Sequence, residues 1–127
     1  MLNQKNIYTL FFKAQDQFLN RDKQGFDVDI IQDYVHWGKM LACLHREGSD
    51  HENTLLSELF LQQVFSHLLQ AINDDTRTLI FRKICLDNIY IPLLCLKRHY
   101  YRFNGGHSKV LALQNKLNQA QISLDPY

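Results

Sequence analysis

The sequence predicts an all-α fold, a compact bundle of five or six helices in a single domain over residues 1–127, with one helix kinked or split near Pro92. Three observations carry this expectation. Apolar residues recur at i, i+3, i+4 and i+7 in one segment after another. No alternating apolar–polar run longer than four residues occurs, so strands have almost no signal. Only two prolines and five glycines punctuate a chain rich in Leu, Gln and Asn, which favours long helices with short connections. A chain of 127 residues suffices for one core without disulfides or metal.

The first helix is expected at 3–19, because Ile7, Leu10, Phe11, Ala14 and Phe18 form one apolar stripe. Tyr8, Phe12 and Leu19 widen it towards a second neighbour. Residues 21–25 read as a polar turn, with Gly25 as the breaker. Asp27 or Asp29 then caps a second helix, whose buried face is Ile30, Ile31, Tyr34, Val35, Leu41 and Ala42. Gly38 falls on that face, at a cost of about 1 kcal/mol relative to Ala, which points to close approach by another helix. Gly48 ends this element.

Ser49 and Glu52 have the spacing of a capping box and open a third helix that continues to Ala71. Its inward residues are Leu55, Leu56, Leu59, Phe60, Val64, His67 and Leu68. Residues 73–75 close it and cap a fourth helix starting near Thr76, with Leu79, Ile80, Ile84 and Cys85 periodic. Pro92 interrupts the apolar stretch 89–96, and the helical run continues to about Phe103. Asn104, Gly105 and Gly106 are the clearest stop. A last helix covers 108–120 through Val110, Leu113 and Leu117, and the tail 125–127 frays. The expected core includes Phe11, Phe18, Ile31, Leu41, Leu56, Phe60, Val64, Leu79, Ile80, Ile84 and Leu94.

A net charge of +1 conceals strong polarity along the chain. Residues 1–75 carry six Lys/Arg against eleven Asp/Glu, a balance of −5. Residues 76–127 carry eight Lys/Arg against Asp87 and Asp125, a balance of +6. Such asymmetry concerns partners rather than fold, and points to nucleic acid or an acidic protein surface. Cys43, Cys85 and Cys95 are an odd count inside periodic stretches, as expected of buried free thiols in a reducing compartment. No apolar run approaches the roughly 20 residues of a membrane span, and the start lacks a secretory pattern, so the expected location is cytoplasmic, away from membranes.

The segment 97–103 is the main candidate for chemistry. Lys and Arg alternate there with aromatics, a mix in which cations neutralise phosphates and rings stack on unpaired bases. The same cations also suit a helix C-terminus, where the dipole favours them. Arg98 and Arg102 stand one turn apart with no carboxylate nearby in sequence, so their forks can clamp an acidic group. Lys109 returns towards the same end of the bundle. The candidate binding residues are therefore Lys97, Arg98, Tyr101, Arg102 and Lys109.

Other chemistry finds little support. Arg46 and His51 have the R-x4-H spacing shared with HEPN-type helical ribonucleases, but the string straddles Gly48 and a helix boundary and reads as a solvated turn. His36, His45, His51, His67, His99 and His107 show no metal-ligand pairing, and His67 reads as a hydrogen-bonded core histidine. No nucleophile motif, phosphate-cradling glycine loop or dinucleotide fingerprint occurs. No catalytic residue, metal or cofactor is expected.

The expected function is that of a small non-enzymatic helical binding protein, a regulator, adaptor or inhibitor acting on a larger partner. The alternative is an RNA- or DNA-binding accessory protein using residues 97–116. Two copies of the chain are also expected to pair through their opposite charges, with Tyr8, Phe12, Trp37 and Tyr101 supplying an exposed aromatic centre.

Overall fold

The computed structural model describes residues 3–20 and 26–124, and all regular structure among them is helical. The helices are α1 (Gln4–Leu19), α2 (Asp27–Leu44), α3 (Thr54–Asn73), α4 (Leu79–Asn88), α5 (Tyr90–Tyr100) and α6 (Gly106–Leu124). Asn3, Asn53 and Thr78 accept the amides of Asn6, Leu56 and Phe81 and so cap α1, α3 and α4. Together α4 and α5 form one helix bent at Ile89. Proline at 92 has no N–H for the Asn88 carbonyl four residues earlier, and its ring crowds that carbonyl, so the bend falls one turn ahead of Pro92. The expected turn at 21–25 and the tail at 125–127 lie outside the described residues.

Helices α1, α2 and α3 run antiparallel in turn. Phe18 and Phe11 pack on Tyr34 with ring centroids 5.0 and 5.6 Å away, and Ser57 Oγ donates to the Ala42 carbonyl at 2.9 Å. At the crossing of α2 and α3, Gly38 is buried against Val64, the close approach its sequence position implied. The bent α4–α5 helix closes the core with Phe81, Cys85, Ile89, Leu93, Leu96 and Tyr100, and α6 adds Val110, Leu117 and Ala120. Gly105 has φ +81°, a left-handed residue that turns the chain after α5, and a Cβ on Gly106 would overlap the Tyr100 carbonyl.

Several expectations are corrected. Leu79, Ile80 and Leu94 are exposed rather than core, Ile80 at 68%, while Leu56, Phe60 and Ile84 are half-buried. Helix α4 is apolar on more than one side. Phe81, 5.6 Å from the Phe18 ring, claims the interior, and with it Cys85 and Ile89 at four-residue spacing. Ser49 and Glu52 do not open α3: Glu52 accepts the Gly48 amide at 2.6 Å and Ser49 Oγ donates to the carbonyls of Leu44 and Arg46, folding the 45–53 loop instead. Phe26 occupies the cap position of α2, with Asp27 and Asp29 in its first turn, where their charge favours the dipole. Cys43 is exposed, Cys95 half-buried and only Cys85 fully buried. Tyr8 and Trp37 pack half-buried against the core instead of standing free.

The charge polarity has a spatial form. The end of the bundle where α2 begins and α3 finishes carries Asp27, Asp29, Asp74 and Asp75. Two cations at that end serve as helix caps. Arg77 Nη2 donates to the Phe18 carbonyl at 3.1 Å with its guanidinium 4.5 Å from the Phe81 ring centroid, and Arg82 Nε donates to the Ile72 carbonyl at 2.8 Å. Part of the basic surplus is thus structural. The opposite end holds the remaining cluster.

Candidate functional site

At that opposite end a cavity of about 120 Å3 opens between the C-terminal turns of α2 and α5 and the first turn of α3. Among the described residues its charged lining is Lys39, Arg46, Arg98 and Arg102 against the carboxylate of Glu47. The cations come from three segments: Lys39 from α2, Arg46 from the loop behind it, and Arg98 and Arg102 from α5 and the turn after it. Thr54 lines it as the first residue of α3, so the positive end of a 20-residue helix dipole faces the same space. Glu47 takes Arg102 across the mouth, Oε2 to Nη1 at 2.9 Å, with side chains 66% and 47% exposed. Such an exposed pair is worth little in stability.

Behind the cavity lies a polar network built around Glu58. Its carboxylate accepts His99 Nε2 at 3.1 Å, the Tyr100 hydroxyl at 2.8 Å and Gln62 Nε2 at 2.9 Å, and Gln62 also donates to the Tyr100 oxygen. Burial, and next the Glu58 hydrogen bond, push the Tyr100 hydroxyl up to about 12. His99 belongs both to this network and to the cavity wall. The network fixes the last turn of α5 on α3 and so sets where Arg98 and Arg102 stand.

Of the sequence candidates, Arg98 and Arg102 share the cavity. Lys109 is elsewhere, its Nζ 5.2 Å from the centroid of the Tyr100 ring, a cation–π contact. Tyr101 stacks on His107 at 6.2 Å and remains more than half exposed. Lys97 is half-buried on α5 and does not line the cavity. Sequence reading missed Lys39 and Arg46, which lie in the acidic half of the chain. The one available signal was the spacing of Lys39, Cys43 and Arg46, four and three residues apart on one helical face.

Arg46 and His51, linked only by the R-x4-H string, are placed on different cavities. His51 lines an open groove with Lys5, Tyr8 and Phe12, and its backbone carbonyl accepts His45 Nδ1 at 2.7 Å. Cys43 and Cys95 both line the cationic cavity, and burial pushes the Cys95 thiol up despite the nearby Lys39 and Arg98 charges. Among the described residues no group of three His, Cys, Asp or Glu is placed to hold a metal ion, and no helix is long and apolar enough to cross a membrane.

The arrangement is suited to holding an anion: three guanidinium groups, a lysine and a helix terminus border one small space, with a weakly held carboxylate at its rim. The chain matches no protein-family model, and no curated protein or solved structure is similar to it.

Proposed function

We propose that this is a small non-enzymatic binding protein, a regulator, adaptor or inhibitor that captures an acidic group of a larger cytoplasmic partner at the basic end of its bundle. The observation that carries this reading is the convergence of Lys39, Arg46, Arg98 and Arg102 on one cavity, with Glu47 the one carboxylate among its described lining residues. Bringing four cations together costs repulsion and returns no stability by itself, so an anionic partner is the natural recipient.

Retention on heparin tests it. The wild-type chain should elute at distinctly higher salt than Arg98→Ala/Arg102→Ala protein of unchanged circular dichroism. Equal elution would end the reading. Nucleic acid is the second reading, favoured by the exposed Tyr101 ring beside Arg102. Affinity capture with and without nuclease separates the two, since a protein partner persists after digestion.

A further inference from the structure

We propose that the cationic cavity is a receptor for a phosphomonoester group, an inference that rests on the anion-capture reading above and names its ligand class. The first argument is charge. Among the described residues, four lining cations against the lining carboxylate Glu47 leave a formal +3, or +2 when Glu58 behind the wall is counted. A carboxylate ligand brings one negative charge and a phosphodiester one, whereas a phosphomonoester brings about −1.5 to −2 near neutral pH. The dianion therefore satisfies more of the lining than either rival.

Shape agrees. Arg46, Arg98 and Arg102 present planar forks, each able to meet two oxygens, and a phosphomonoester has three terminal oxygens to share among them. Lys39 adds a compact charge from α2. The α3 terminus at Thr54 adds a dipole of the same sign, an arrangement that recurs at phosphate sites. At the ~10–15 Å3 needed to seat one water, 120 Å3 holds a phosphoryl group and the first atoms of its carrier. A long cationic track would serve a nucleic-acid backbone better than this small cavity.

Glu47 supplies the device that keeps the site available. It neutralises Arg102 from the rim through a single exposed contact of 2.9 Å, and a dianion entering the cavity replaces it. Removing its charge should therefore tighten binding, the opposite of removing an arginine. This opposition separates a ligand site from a merely structural ion pair, whose two halves would act alike.

Titration calorimetry on the full chain tests the proposal with five probes: inorganic phosphate, glucose 6-phosphate, a phosphoserine peptide, the same peptide with glutamate in that position, and an oligonucleotide lacking terminal phosphates. The phosphoserine peptide or the sugar phosphate should bind at least tenfold more tightly than the glutamate peptide and the oligonucleotide. Binding of both identifies a group read without its carrier, and binding of the peptide alone identifies a protein carrier. Arg98→Ala/Arg102→Ala should weaken that binding at least tenfold, Glu47→Gln should tighten it several-fold, and Lys83→Ala/Lys116→Ala, which removes as much charge outside the cavity, should leave it unchanged. Glutamate peptide or oligonucleotide binding as tightly as the phosphopeptide overturns the phosphomonoester assignment while leaving anion capture standing. Loss of all binding together with unaltered heparin retention in the arginine variant overturns both.

Discussion

A Cβ built on Gly38 would lie 2.5 Å from Val64 Cγ2, so the α2–α3 crossing is set by the absence of a side chain on one helix and the presence of a stiff one on the other. Both residues are buried, which leaves the valine methyl little room to yield. In an exposed helix, Gly→Ala would stabilise by about 1 kcal/mol. Here overpacking outweighs that gain, and Gly38→Ala should destabilise by about 1–3 kcal/mol. In a Val64→Ala background the same change should become stabilising, and chemical denaturation of the four proteins of this cycle measures the reversal.

The Tyr34 hydroxyl accepts Gln15 Nε2 at 3.3 Å and donates to His67 Nδ1, which requires a neutral imidazole at that atom. Burial holds the His67 pKa below its usual 6.5. The unfolded chain therefore takes up a proton first as pH falls. Stability should be fully present above pH 6.5 and decline below it, until the folded imidazole protonates too. His67→Gln keeps an acceptor for Tyr34 and removes the titration. Its urea midpoint should change less than that of wild type between pH 7.5 and 5.

At alkaline pH the sign is opposite. Burial raises Tyr34 and Tyr100 to about 12 from the usual 10, so the unfolded chain releases these protons first. Their contribution is complete below pH 10 and is lost as pH rises through the folded values. Absorbance at 295 nm should show a late tyrosine transition near pH 12, with unfolding accompanying it. Tyr34→Phe/Tyr100→Phe should remove that transition.

Two carboxylates at the basic end should behave very differently. Glu58 accepts three side-chain donors in a half-buried network, whereas Glu47 meets Arg102 at the exposed surface. Glu58→Ala strands those donors and should cost about 2–3 kcal/mol. Glu47→Ala should cost under about 0.5 kcal/mol. Thermal unfolding of the two variants makes the comparison directly.

Adjacent glycines of one turn also separate. Gly105→Ala must hold a left-handed φ of +81° but meets open space, and should cost about 1–2 kcal/mol. Gly106→Ala drives a methyl into the Tyr100 carbonyl, which backbone alone can relieve. It should destabilise by more than 3 kcal/mol and shift the start of α6, read from amide hydrogen exchange across residues 100–110.

Helix content, the reversal near Gly105 and the bend near Pro92 were legible from the chain alone, because each is decided within a few residues by backbone hydrogen bonding and side-chain period, although α5 stops at Tyr100 and α6 already starts at Gly106. Gly38 was legible for a related reason: a glycine inside an apolar helical stripe has one main structural use. The phase of α4 was not. Leu79, Ile80 and Phe81 are all apolar, and only the presence of the Phe18 ring decides that Phe81 turns inward. The capping-box pattern at Ser49 and Glu52 failed because the same two side chains satisfy a folded loop as readily as a helix start.

The cationic cavity is the clearest case of what tertiary structure alone decided. Charge along the chain placed Arg98 and Arg102 in a basic segment, but charge has no direction and its range exceeds a helical turn. Lys39 and Arg46 join them from the acidic half only because α2 and α5 finish at the same end of the bundle. Arg77 and Arg82, from the same basic half, were removed from the surface cluster because the open carbonyls of α1 and α3 lie within their reach. Residues far apart in sequence interact through packing that local pattern does not encode. The chain by itself settled which side chains carry charge, and the fold settled which of them share a cavity.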